Sequence, residues 1–210
     1  YDDAYHVAID GGTVFLGSSA DGMVYALDAA AGQVRWRFHT NGPVRMAPTL
    51  SEGKVYVGSD DGHVYCLAAA DGALVWDFRA GPTDERILGG GRMVSMWPVR
   101  TGVVVDGGVA YFAAGIFPAE RIYLYAVDAG TGAVLWSNNT LSDQNAGQNG
   151  FSPQGYMLAS ATSLFVTSGR ALPARFARQD GRFIYQPGGN WRADGVLGEL
   201  LRHVEALETA

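Results

Sequence analysis

Three stretches of the chain repeat one another. They are residues 13–38 (TVFLGSSADGMVYALDAAAGQVRWRF), residues 54–78 (KVYVGSDDGHVYCLAAADGALVWDF) and residues 109–137 (VAYFAAGIFPAERIYLYAVDAGTGAVLWS). Tyr25, Tyr65 and Tyr125 match one another, as do Trp36, Trp76 and Trp136. Each Tyr precedes its Trp by 11 residues, while successive copies lie 40 and then 60 residues apart. A constant interval inside a variable period describes a fixed structural unit with insertions outside it. A fourth, degraded copy follows. Leu164-Phe165-Val166 matches Val55-Tyr56-Val57, Asp180-Gly181 matches Asp71-Gly72, and Tyr185 stands where Trp76 does, all at one ungapped offset of 109.

Within a unit the side chains alternate with period two, and both faces are largely apolar. Val14 and Leu16 alternate with Phe15; Val24, Ala26 and Asp28 alternate with Tyr25 and Leu27. Strands of that kind are sandwiched between other sheets. Glycine turns such as Asp21-Gly22 and Ala31-Gly32 separate them. One more apolar stretch precedes each pair, as in Val103-Val104-Val105. The second unit then reads as four strands, at 44–50, 54–59, 63–68 and 73–78. Four antiparallel strands per ~40–50 residues, repeated, predict an all-β chain built as a β-propeller. Four blades are visible, at about 4–39, 44–79, 96–137 and 154–186. After Pro187-Gly188-Gly189, a helical spacing of Val196, Leu197, Leu200, Leu201, Val204 and Leu207 predicts a linker and short C-terminal helix over 187–210, with Asp194 as N-cap.

Composition fits such a fold and excludes others. Of 210 residues, 48% are hydrophobic and 17% charged, which suits a chain with a real core. The 29 glycines follow no three-residue period, so collagen is excluded. The net charge of −6 and the lack of a basic run argue against nucleic-acid binding. No apolar run reaches the ~18 residues of a membrane helix. The single cysteine, Cys66, permits no internal disulfide. The start at Tyr1 rather than Met leads us to expect a processed chain or a piece of a longer one.

Residues 26–36 read AxDxxxGxxxW, and residues 126–136 repeat that reading. The pattern resembles the tryptophan-docking repeat of the pyrroloquinoline quinone (PQQ) β-propeller superfamily. That superfamily includes quinoprotein alcohol dehydrogenases and the lipoprotein scaffold of the outer-membrane β-barrel assembly machine. The resemblance covers residues 4–185. It implies docking roles for Ala26, Asp28, Gly32, Trp36, Gly72, Trp76, Ala126, Asp128, Gly132 and Trp136. The second copy departs from the pattern with Cys66 and Ala68, and the fourth keeps only Gly181. The indole is expected to fill the wedge between blades, with the small Ala leaving room for it. The resemblance also implies a larger ring, of about seven or eight blades, and a periplasmic or extracellular location.

An up-and-down blade sends its a–b and c–d turns to one face and its b–c and blade-to-blade connections to the other. The insertions, at 80–94, 115–120 and 138–150, all fall on the second face. Three long loops on one face make a candidate binding surface. Its polar inventory includes Arg86, Arg92, Arg121, Asn138, Asn139, Asp143, Asn145, Gln148 and Asn149, with Trp97, Arg100 and Gln154 near the axis. Arginine with amides beside an aromatic can hold a flat anionic ligand. Asp60-Asp61-Gly62 lacks the alternating acids of a calcium loop and reads as a b–c turn. His6, His39, His63 and His203 show no zinc spacing. Gly89-Gly90-Gly91 reads as a flexible loop element. Asn138-Asn139-Thr140 is a formal glycosylation sequon.

The function expected from these residues is a non-catalytic binding or scaffold propeller in a larger envelope-associated or secreted bacterial protein. A protein or small-molecule ligand is expected on the long-loop face, with no cofactor and no metal, and with further blades or a second copy beside the arc. Two alternatives stand beside this. One is part of a PQQ-dependent dehydrogenase, with PQQ and calcium on the axis. Against it stand the single Cys, the four units and the want of an assignable base. The other is a sensor propeller fused to another domain.

Overall fold

The structure, a computed structural model, describes residues 6–141, 151–168 and 171–186. The expected C-terminal helix and Asp143, Asn145, Gln148 and Asn149 lie outside the described residues. Four antiparallel sheets of four strands follow one another along the chain, each with its strands in sequence order. Blade 1 comprises Val7–Asp10, Thr13–Gly17, Met23–Asp28 and Val34–His39. Blade 2 comprises Thr49–Ser51, Lys54–Gly58, His63–Ala68 and Leu74–Arg79. Blade 3 comprises Val104–Asp106, Val109–Ala114, Tyr123–Asp128 and Val134–Asn138. Blade 4 comprises Leu158–Ala159, Ser163–Ser168, Ala171–Ala177 and Phe183–Tyr185.

One expected strand differs. The first strand of blade 2 spans Thr49–Ser51 rather than 44–50. Pro43 and Pro48 lack the N–H that a ladder needs, so pairing begins only after Pro48. The segment ahead of it runs along the axis and is held otherwise, as when Val44 N–H donates to Ser18 O at 3.1 Å.

The motif acids organise the c–d turns. Asp28 Oδ1 accepts the N–H groups of Ala30 and Ala31, and Asp128 Oδ1 accepts those of Gly130 and Thr131. These hydrogen bonds favour the ionised form, and both carboxyls titrate below their usual range. For Asp28 the bond from Arg35 is the largest cause; for Asp128 it is the hydroxyl of Thr131. Where blade 2 has Ala68, Asp71 serves instead, its Oδ1 accepting Ala73 N–H.

Three apolar clusters hold the blades together, one at each junction between consecutive blades. Phe15, Val24 and Trp36 meet Val55, Val57, Tyr65 and Leu67 at the first junction. Tyr56, Cys66 and Trp76 meet Val103, Ala110, Phe112 and Val127 at the second. Tyr111, Leu124 and Ala126 meet Leu164, Val166 and Phe176 at the third. Burial pushes the Cys66 thiol up to about 11, so it acts as a small apolar side chain rather than a nucleophile. Among the described residues no cluster joins blade 4 to blade 1. The entries of these two blades meet through His6 and Tyr156, whose rings lie edge-on with centroids 5.5 Å apart.

Each junction repeats one indole contact. Trp36 Nε1 donates to Ala69 O at 2.9 Å, Trp76 Nε1 to Ala129 O at 3.0 Å, and Trp136 Nε1 to Arg178 O at 3.1 Å. In every case the acceptor belongs to the c–d turn of the next blade. The ring lies against that turn's glycine: a Cβ on Gly72 would stand 2.6 Å from the Trp36 ring, and one on Gly132 3.0 Å from Trp76. Gly181 meets Trp136 in the same way. The room for the neighbour's indole thus comes from the glycine, not the alanine. Ala26, Cys66 and Ala126 are instead the same-blade partners of Trp36, Trp76 and Trp136 across the strand pair.

Candidate functional site on the long-loop face

Antiparallel connectivity sends the b–c loops and the blade-to-blade connections to one face, and the long segments all emerge there. The connection from blade 2 to blade 3 contains a two-stranded hairpin, Arg86–Gly89 paired with Arg92–Ser95. The Gly89-Gly90-Gly91 run is therefore not a flexible loop. Gly90 and Gly91 adopt positive φ of 60° and 80° and close the hairpin. Val94 is buried beneath it. On its other side Leu88 and Met93 face each other across the strands and are 74% and 52% exposed. Arg86 pairs with Asp84 at its base, and Arg92 Nη2 reaches Ala20 O in the b–c loop of blade 1. The hairpin thus spans from the third blade's entry back to the first blade.

Near the axis lies a charged cluster that sequence spacing did not reveal. Asp60, in the b–c loop of blade 2, is fully buried. Its N–H donates to Pro43 O at 2.8 Å and its carbonyl accepts Ser95 N–H at 2.7 Å, which fixes the residue between two connections. Its carboxylate accepts Arg45 Nε at 2.7 Å, Arg100 Nε at 2.9 Å and Arg100 Nη2 at 3.0 Å. Asp61 beside it is buried too. Its carboxylate accepts Asn41 N–H, His63 N–H and the Tyr65 hydroxyl, at 2.8, 2.9 and 2.7 Å. Burial, with the nearby Asp61 charge, pushes the Tyr65 phenol well above its ordinary range, so it stays a donor. Asp60-Asp61-Gly62 is the b–c turn read from the sequence, but it also anchors this network.

The expected site residues divide. Arg100 joins the axial cluster, and Gln154 lies close, since Gly155 N–H donates to Arg100 O at 3.0 Å. Arg86 and Arg92 sit on the hairpin. Arg121 is exposed in the b–c loop of blade 3, with a φ of 71°. Trp97 lies inside the fold. It is buried, its ring packs on Gly81 and Gly115, and its Nε1 donates to Glu120 O at 2.6 Å. Asn145 lies outside the described residues. Arg45 and Asp60 were not singled out as site residues, because their pairing joins positions 15 residues apart across a turn. Among the described residues no group of three His, Cys, Asp or Glu side chains is placed to hold a metal. No described helix is long and apolar enough to cross a membrane.

The sequence profile of the family described as outer membrane protein assembly factor BamB matches residues 3–152. That is more than half of the chain, and the chain belongs to this family. Comparison with curated protein sequences gives no match. Among solved structures, BamB from Moraxella catarrhalis superposes with a TM-score of 0.63 at 21% identity, covering 86% of this chain and 51% of that one. The quinohemoprotein alcohol dehydrogenase from Comamonas testosteroni gives 0.67 at 18% identity, covering 88% and 35%. The computationally designed Ika8 protein gives 0.59 at 14% identity, covering 89% and 49%. These likenesses are of fold, that of a PQQ-like β-propeller. The chain spans about half the length of the BamB structure it matches.

Proposed function

Starting from membership of the BamB family, we propose that the chain is a non-catalytic binding or scaffold propeller that holds a protein partner on its long-loop face, in the bacterial envelope. The observation that supports this most is the hairpin at Arg86–Ser95. It displays an exposed Leu88–Met93 pair on the face where every long connection emerges. Exposed apolar side chains rimmed by arginine are the composition of protein interfaces. The opposite face consists of short glycine turns.

The test places a photo-crosslinking residue at Leu88 in the producing cell, with Asp71 on the short-turn face as control. The reading expects a defined adduct of one protein from position 88 and none from position 71. Equal adducts from both positions, or none from 88, would contradict it. So would substrate-dependent dye reduction by the chain after loading with PQQ and calcium, since that activity belongs to the dehydrogenase alternative.

A further inference from the structure

Arg45 and Arg100 hold equivalent places in consecutive blades. Each lies four residues ahead of the first-strand residue that faces the blade's second-strand tyrosine, Thr49 opposite Tyr56 and Val104 opposite Tyr111. Gln154 stands at the same place ahead of Leu158, which faces Phe165. Three successive blades therefore enter the axis with a side chain that carries N–H donors.

The direct pairing at this point leaves guanidinium edges over. One buried carboxylate, Asp60, faces two guanidinium groups. Arg45 is engaged through Nε alone, so among the described residues its two terminal nitrogens have no partner; Arg100 Nη1 has none either. The Arg45 and Arg100 side chains remain 40% and 20% exposed, so these unused donors open to solvent on the long-loop face. Asp60 orients both groups, which removes much of the entropy that an arginine loses on binding. The other acid nearby, Asp61, is committed to Asn41, His63 and Tyr65. Free planar N–H edges of guanidinium groups suit one carboxylate. The net charge of −6 disfavours a polyanion such as nucleic acid or an anionic membrane. The exposed Leu88 and Met93 of the hairpin, which is tied to Asp60 through Ser95 N–H, favour a polypeptide over a small ion.

We infer that Arg45 and Arg100, oriented by Asp60, form a carboxylate-binding site for an acidic side chain of a protein partner. This inference rests on the binding role proposed for the same face. Gln154 Nε2 donates to Ser152 Oγ at 3.2 Å, so this third entry residue is left out of the site.

The experiment titrates the full chain, labelled with 15N in arginine, with a capped Asp-Glu dipeptide. The side-chain Nε–H signals of Arg45 and Arg100 are identified by their loss in Arg45→Gln and Arg100→Gln. Saturable shifts of both signals are expected, with a Kd on the order of 1–10 mM, as befits a fragment of an interface. The capped Asn-Gln dipeptide should give none. In Arg45→Gln, which leaves Asp60 paired with Arg100, the affinity for the acidic dipeptide should fall about tenfold. Equal shifts with the neutral dipeptide, no saturation, or unchanged affinity in Arg45→Gln would overturn the inference. Tighter binding of inorganic phosphate or PQQ than of the dipeptide at the same signals would also overturn it, in favour of a small anion. Adduct formation at Leu88 reports separately on the binding role, so a cross-linked partner with no dipeptide response removes only the carboxylate site.

Discussion

Blades 1 and 2 direct nearly the same side chains toward their N-terminal neighbour, yet only one set is covered. In blade 2, Val55 faces Leu67 and Val57 faces Tyr65 across the second and third strands, and all four are buried against blade 1. In blade 1, Val14 faces Leu27 and Leu16 faces Tyr25 in the same register, and all four are only half-buried. Val7 and Ile9 on its first strand are 50% and 66% exposed. The turn glycines tell the same story. Gly72 carries the Trp36 ring, whereas a Cβ on Gly32 would meet nothing within 4 Å. The difference shows that the repeat encodes a neighbour on both sides of every blade, while burial depends on whether that neighbour is present. Among the described residues nothing covers the first face of blade 1 as blade 1 covers blade 2, and we propose that a further blade or a second copy covers it.

Substitutions at equivalent positions can break this comparison. The largest difference is expected from Val57→Asp against Leu16→Asp. An unpaired charge in the first junction should cost more than about 3 kcal/mol, against under about 1 kcal/mol on the half-exposed face. Urea midpoints of the two variants check this, and equal losses would mean that the first face is covered. Next comes the indole. Trp76→Ala removes a buried ring and its hydrogen bond to Ala129, for roughly 3–5 kcal/mol. Tyr185→Ala, at the same place in blade 4 but exposed, should cost under about 1 kcal/mol.

The smallest effect concerns the turn acids. The carboxyls of Asp28 and Asp128 are held below their unfolded values, so their contribution is present above about pH 4 and lost as pH falls through the depressed folded values. Asp128→Asn should flatten the acid limb of a stability–pH curve. Ala68→Asp in blade 2 should steepen it, by giving that turn the acid which the other two have. An unchanged acid limb in both variants would show that the turns do not depend on these carboxylates.

Much of the fold could be read from the chain because each part has a local signature. The 11-residue Tyr-to-Trp interval reports a strand–turn–strand unit, and period-two alternation on both faces reports blades stacked on either side. The direction of the indole contact was less legible. Alanine and glycine are both small, and only the path of the chain shows that Gly72, rather than Ala26, lies under Trp36. The first strand of blade 2 is shorter than its apolar run because that run includes Pro48, whose missing donor delays pairing. The site was half legible. Loop length marked the face where the long connections emerge and drew attention to Arg86, Arg92 and Arg100, which the structure places there. The cluster around Asp60 was not legible, because burial of a charge leaves no trace in composition and its partners come from two separate connections. The burial of Trp97 was not legible for the related reason that an aromatic near a polar loop looks the same whether it lines a surface or fills the core.

The central claim is that each blade's indole rests on the next blade's turn glycine, and that among the described residues no ring rests on Gly32. Its most direct test is the pair Gly72→Ala and Gly32→Ala, compared by thermal or urea unfolding. Both glycines have positive φ, 75° and 67°, so the backbone strain of alanine, about 1 kcal/mol, is common to the two. What differs is the Trp36 ring, 2.6 Å from the new Cβ at Gly72 and absent at Gly32. The account predicts that Gly72→Ala is less stable than Gly32→Ala by a further 1–3 kcal/mol or so. Equal destabilisation by the two substitutions would contradict it.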